Sequence, residues 1–320
     1  MTSSRVNRHQ SKELGIQLLR EGIVESTHIA HVVVCDHRGR NLSVAGNPEL
    51  ASFVRSALKP FQALAVTTSG ALERYGLSDR ALAIMCGSHQ GSMEQVRQVF
   101  EILWRSQLDS GDLRCPVPQG RKSPLEHNCS GKHAGMLALC QQQSWPLGSY
   151  LDRSHPVQKL ILSRLADLLG MPADEFIVAH DDCGAPTYFM QIRQMATLFA
   201  MLASGNSLDM ERIIRAMTHH PEMVGGADSF DTQLMQLTNG ALVSKSGAEG
   251  IQCIGRVGDS LGLAIKVLDG SRRAKYATAI FTLKQLGWIV PAVADTLAET
   301  YLQIGRFSRL DVVGELPLMY

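Results

Sequence analysis

Apolar and polar residues follow two different rhythms along this chain. Near the amino end, I-A-H-V-V-V-C-D and N-L-S-V-A-G flank the turn-forming H-R-G-R, which predicts two antiparallel strands over residues 29–46. In the long middle, apolar residues recur at helical spacing over 60–75, 92–107, 131–142, 155–169, 187–204 and 209–219, each segment ending at Gly or Pro. The strand rhythm returns in G-A-L-V-S-K-S, G-I-Q-C-I-G-R-V and S-L-G-L-A-I-K-V-L-D-G, and helices over 272–286 and 290–304 follow. Strands at both ends with helices between them imply an α+β fold. One antiparallel sheet is built from both chain ends, with flanking helices and an inserted helical domain. Residues 1–55 and 240–320 are expected to form the sheet-containing part and 56–239 the mainly helical part of a single unit. No internal repeat or low-complexity linker argues for a tandem layout.

Composition narrows the function classes. Hydrophobic residues make up 45% of the 320, charged residues 19%, and the formal charge is +1, so no strong field exists to attract nucleic acid or an anionic membrane. Apolar runs such as Ala63 to Val66 fall far short of the roughly 20 residues that span a bilayer. The opening M-T-S-S-R-V-N-R-H-Q has no apolar stretch behind its basic residues, so it does not read as a secretory signal and a cytoplasmic address is expected. Seven cysteines, an odd number spread over a long chain, are expected to be reduced thiols. Cys35, Cys140 and Cys253 sit in apolar runs and read as small buried hydrophobes. Cys129 and Cys183 differ, since both lie in polar, glycine-containing loops.

Five stretches carry candidate chemistry. In R-S-A-L-K-P, Ser56 and Lys59 are three residues apart, close to one helical turn, so a neutral lysine could take the serine proton. The bland reading is that Ser56 caps a helix and Lys59 is solvated. Pro60 limits this turn to the start of a helix, where free N–H groups favour negative charge. In C-G-S-H-Q-G, Ser88 is a second candidate hydroxyl, although Ser92 and Gln95 form a capping box just beyond it. H-N-C-S-G-K-H-A-G-M, residues 127–136, is the densest cluster in the chain. Cys129 there and Cys183 in D-D-C-G-A-P are candidate nucleophiles or zinc ligands, though their spacing matches no zinc finger. Lys266 ends a predicted strand, where a lysine is usually solvated. Yet Ser-x-x-Lys, a serine loop and a late strand lysine reproduce the order of S-x-x-K, S-D-N and K-T-G in penicillin-interacting serine enzymes.

These motifs, together with H-P-E-M-V-G-G, F-D-T-Q-L-M and G-A-E-G-I, closely resemble the L-asparaginase II family of the rhizobial type, from about Ile23 to Gly270. The resemblance implies a homodimeric asparagine amidohydrolase with a serine β-lactamase-like and glutaminase-like fold, releasing aspartate and ammonia. It also implies two Ser–Lys pairs, Ser56 with Lys59 and Ser88 with Lys266. A zinc site on Cys129, Lys132 and Cys183 is implied as well, with Arg55, His133 and Asp181 anchoring substrate or supporting the site. Asp182 departs from the family, which usually has glycine before this cysteine, and A-D-S at 227–229 departs from a small or basic stretch. Rival readings are a glutaminase, one methylene away in substrate, or another amidohydrolase of the same fold, a β-lactamase-like or D-alanyl peptidase that would share the Ser–Lys logic, and a non-catalytic zinc-stabilised binding protein.

Overall fold

The computed structural model describes residues 11–317. The first ten residues, on which the argument against a secretory signal rests, lie outside them. In chain order the first elements are β1 (Leu14–Arg20), β2 (Ile23–Asp36), β3 (Asn41–Ala45) and β4 (Ala51–Phe53). A run of helices follows: α1 (Lys59–Thr67), α2 (Ala71–Arg74), α3 (Asp79–Met85), α4 (Met93–Arg105), α5 (Ser130–Gln143) and α6 (Pro156–Leu169). Next come β5 (Ile177–His180), β6 (Pro186–Gln191), α7 (Ile192–Ser204), α8 (Leu208–His219), α9 (Pro221–Val224) and α10 (Phe230–Leu237). The chain then runs through β7 (Leu242–Ser246), β8 (Ile251–Arg256), β9 (Leu261–Val267), α11 (Arg272–Gln285), α12 (Pro291–Tyr301), β10 (Gln303–Gly305) and β11 (Ser308–Val313).

The large sheet has the order β10-β11-β1-β2-β9-β8-β7, with β3 also pairing β2. Its pairings are antiparallel, and its strands come from both ends of the chain. The long β2 is shared along its length. Its first half pairs with β1 and its second half, from Val32, with β3, while β9 runs along the other edge from Ala30 to Asp36. Alternation across these strands feeds two cores. Val33, Cys35 and Ala264 face a core shared with the middle helices, whereas Val32, Val34, Leu263 and Ile265 face one shared with α11 and α12. Burial on both faces explains the unbroken apolar run V-V-V-C, residues 32–35. Each fully buried Val, Leu or Ile contributes about 1.5–3 kcal/mol.

The helical middle is tied to the sheet by α7, which packs on β2, β8 and β9. A Cβ on Gly262 of β9 would stand 2.0 Å from the Ala196 carbonyl oxygen of α7, so the helix can lie this close only over a residue with no side chain. The segment expected to be one helix over 187–204 divides. Pro186–Gln191 forms β6, the middle strand of a small sheet with β4 and β5, and α7 begins at Ile192. No helix among the described residues is long and apolar enough to cross a membrane.

Candidate active site

Four segments converge where β4 ends. Val54 is held by a bond from its N–H to the Tyr188 carbonyl at 2.9 Å, and the chain then turns at Arg55 with φ +52°. That left-handed conformation is unfavourable for a residue with a Cβ and is found at functional sites when the surroundings enforce it. Residues Arg55–Leu58 form one 3₁₀ turn that runs directly into α1. Neither helix start has a side-chain cap, so Ser56 is not a capping serine. Ser56 is half-buried and Lys59 fully buried.

Lys59 reaches Ser88 rather than Ser56. Its Nζ lies 2.5 Å from the Gly87 carbonyl oxygen, 3.0 Å from Ser88 Oγ and 3.0 Å from the Asn128 carbonyl oxygen. Burial pulls its pKa down, outweighing the attraction of Cys129. Ser88 is free to take part because Ser92 and Gln95 form the capping box of α4 themselves. The Ser88 N–H is spent on the Val224 carbonyl at 2.7 Å. Gly131 brings the start of α5 against the end of α3, since a Cβ there would lie 2.2 Å from the Ile84 carbonyl oxygen. This approach sets the Asn128–Lys132 loop beside the Gly87–Ser88 loop.

The sequence pairing of Ser88 with Lys266 is corrected by these contacts. Lys266 donates from Nζ to the carbonyls of Glu249 at 2.5 Å and Val267 at 2.8 Å, so it braces the 247–250 loop instead of meeting a serine. That loop borders the turn at Arg55, because a Cβ on Gly247 would stand 3.0 Å from the Val54 carbonyl oxygen.

The lysine that sequence reasoning missed is Lys245, fully buried on β7. It donates to the Ser246 carbonyl at 2.8 Å and lies 3.9 Å from Asp231 Oδ2. Burial lowers its pKa to about 7 against the pull of Asp231, with repulsion from Lys59 adding to the effect. Asp231 is itself held by Ser244 Oγ, Gln252 Nε2 and the Ser246 N–H. Lys275 donates to the Gly247 carbonyl at 3.1 Å. The signal was present in the sequence: K-S-G at 245–247 matches K-T-G in its hydroxyl and glycine, whereas K-V-L at 266–268 does not.

The two loop cysteines do meet. One ligand atom each from Cys129, Asp181 and Cys183 lies within 4.8 Å of the others, and all three residues are buried. A hydrogen bond from Cys183 lowers the Cys129 thiol well below its ordinary value despite burial, and Lys59 and Lys132 assist. Cys183 moves up, through that same bond and burial. The Lys132 ammonium is 3.6 Å from Asp181 Oδ2. Burial opposes its charge, but Cys129, Cys183 and Asp181 together raise its pKa. Two facing thiols and a carboxylate fit a zinc ion, whose preferred donors are sulfur, nitrogen and oxygen, and Lys132 would join them only as a neutral amine, having lost its proton beside the cation.

Arg55 links this cluster to the serine turn. Its Nε donates to Asp181 Oδ1 at 2.6 Å and its Nη2 to Asp182 Oδ2. Fully buried His133 meets the Tyr150 hydroxyl at 2.6 Å through Nδ1. Its Nε2 has no partner among the described residues, and burial lowers its pKa well below the usual imidazole value.

The antiparallel sheet is made from both chain ends and covered by helices on both faces, an α+β fold. The crystal structure of Mglu in its glutamate form is similar, with a TM-score of 0.50 at 14% identity over 81% of this chain and 60% of that one. This chain therefore spans 60% of the length of that protein. Mglu in its native form gives 0.48 at 14% identity, over 81% and 64%. A β-lactamase from Mycobacterium bovis gives 0.43 at 14% identity, over 85% and 95%. No functionally curated protein matches the chain by sequence. The family model described as L-asparaginase II matches residues 16–318, nearly the whole length, and the chain belongs to that family.

Proposed function

We propose that this protein hydrolyses the side-chain amide of L-asparagine to aspartate and ammonia, with a serine hydroxyl as nucleophile and Lys59 as proton acceptor. The observation that carries the reading is the set of partners around Lys59 Nζ. Two are backbone carbonyls, which only accept, and the third is the Ser88 hydroxyl. A neutral amine has two N–H donors for the carbonyls and one lone pair for the hydroxyl proton. Burial favours that neutral form.

Ser88 gives its proton to Lys59 directly. The attack then comes from Ser88 itself, or from Ser56 passing its proton through Ser88. The new Oγ–C bond forms an acyl-enzyme as the C–N bond breaks, and the proton held by lysine leaves with the nitrogen as ammonia. Water then cleaves the ester. Lys245, lowered to about 7, supplies a second amine that is substantially neutral at physiological pH. Arg55 is the anchor for the substrate carboxylate.

Cys129 and Cys183, with Lys132 or Asp181 as a further donor, would hold a zinc ion. When bound it supplies a Lewis acid whose charge two thiolates largely cancel, suited to orienting substrate. A homodimer in the cytoplasm belongs to the same proposal and rests on the family likeness.

Glutamine is the nearest alternative substrate, and likeness to a protein crystallised in a glutamate form favours including it. One methylene is worth only about 1–3 kcal/mol of discrimination. The test is ammonia release from asparagine and glutamine and hydrolysis of a β-lactam by the purified protein, with metal content measured alongside. Faster turnover of asparagine supports the proposal, whereas no ammonia from either amide refutes it.

A further inference from the structure

Arg55 has two carboxylate partners that are held very differently. Asp181 is buried and fixes one side of the guanidinium through Nε at 2.6 Å. Asp182 takes Nη2, yet its side chain is 91% exposed while that of Arg55 is only 19% exposed. The Asp182 N–H donates to Asp181 Oδ1 at 3.0 Å, so its backbone is fixed while its carboxylate stands in water. An ion pair with one partner this exposed is weak and easily exchanged. Arg55 is also the residue with φ +52° immediately before Ser56. A rigidly aimed guanidinium beside the serine turn therefore presents one edge to solvent, and a loosely held carboxylate occupies it.

We propose that Asp182 is a displaceable stand-in for a substrate carboxylate on Arg55, and that it sets the KM for amides carrying such a group. This inference rests on the amidohydrolase reading above and adds a specificity-determining residue to it. A guanidinium edge bonds a carboxylate from the chain or from a ligand through the same geometry. An amino-acid amide must therefore displace Asp182 to dock its α-carboxylate, while an amide without that group leaves Asp182 in place. The competition acts on binding and leaves the chemical step alone, so KM changes and kcat does not.

The experiment compares wild type with Asp182→Asn and Asp182→Gly. Asparagine is measured against β-alanine amide, which is asparagine without its α-carboxylate, and L-aspartate binding is followed by calorimetry. Because Asp182 is exposed, neither substitution disturbs a packed core. The expected result is a KM for asparagine lowered about two- to fivefold, the scale of an exposed ion pair, with kcat unchanged and β-alanine amide unaffected. Aspartate binds tighter by the same factor, and Asp182→Glu restores wild-type values. An unchanged or raised KM for asparagine, or equal changes for both amides, overturns the inference. Calorimetry needs no turnover, so unchanged aspartate affinity overturns it as well. Absence of ammonia release by wild type overturns the amidohydrolase reading instead.

Discussion

Replacing Lys59 with methionine tests the centre of the site and separates its structural role from its chemical one. The side chain is fully buried, and methionine keeps a similar length and its apolar contacts while removing the amine. Two backbone carbonyls, Gly87 at 2.5 Å and Asn128 at 3.0 Å, lose their lysine partner. Each buried carbonyl left unpaired costs about 1–3 kcal/mol. Removal of a desolvated amine offsets part of this, so the net loss of stability is on the order of 1–4 kcal/mol. The chemical loss is larger. Without its proton acceptor, kcat falls about 10²–10⁴-fold, the usual contribution of a general base. The assay is steady-state ammonia release, with thermal unfolding and circular dichroism showing that the variant is folded. A guanidinium stays protonated, so Lys59→Arg is also expected to be inactive. A folded Lys59→Met protein with wild-type kcat would refute the reasoning.

The other predictions follow from the same geometry. Asparagine turnover should rise with pH through an inflection near the Lys245 value of about 7, because the neutral amine is the useful form. Lys245→Met should remove that inflection, whereas an unchanged profile contradicts the role. Stability should move the same way with pH. The folded pKa of Lys245 lies below its unfolded value of 10.5, so between about 7 and 10.5 the unfolded chain binds more protons. Lys245 therefore makes stability rise with pH across that window and contributes no slope below about 7, where both states carry the proton, so denaturant titrations of Lys245→Met should lack the rise. Cys129→Ser and Cys183→Ser should each lower zinc per protein chain and raise KM more than they lower kcat. Unchanged metal content in both variants would remove these thiols from the ligand set.

Much of the scaffold was legible in local pattern. The β2–β3 hairpin, the helices α4, α5, α6 and α8, and the strands β7, β8 and β9 all stand near where their periodicity puts them. β1 was not legible, because L-G-I-Q-L-L-R becomes a strand only by pairing on both sides, with β2 and with the distant β11. P-T-Y-F-M-Q reads as the front of a helix until β4 and β5 pair with it. In the site, the residue types carried the signal but the partnerships did not. Ser56 and Lys59 share one turn, yet the lysine amine is claimed by two loops, 28 and 69 residues away. Lys266 and Lys245 both end late strands, and the choice between them depends on which one faces Asp231 and which one braces a loop. The spacing of Cys129 and Cys183 carried no metal pattern, because the loop between β5 and β6 and the start of α5 meet only in the folded chain.

The most direct test of a serine activated by Lys59 is the rate of ammonia release from asparagine by wild type, Ser88→Ala and Ser56→Ala, each verified as folded. Ser88→Ala removes the hydroxyl that Lys59 touches, so kcat should fall at least about 100-fold whichever serine attacks. An equally deep loss in Ser56→Ala assigns the attack to Ser56, and retained activity there assigns it to Ser88. Wild-type turnover by Ser88→Ala would contradict the account.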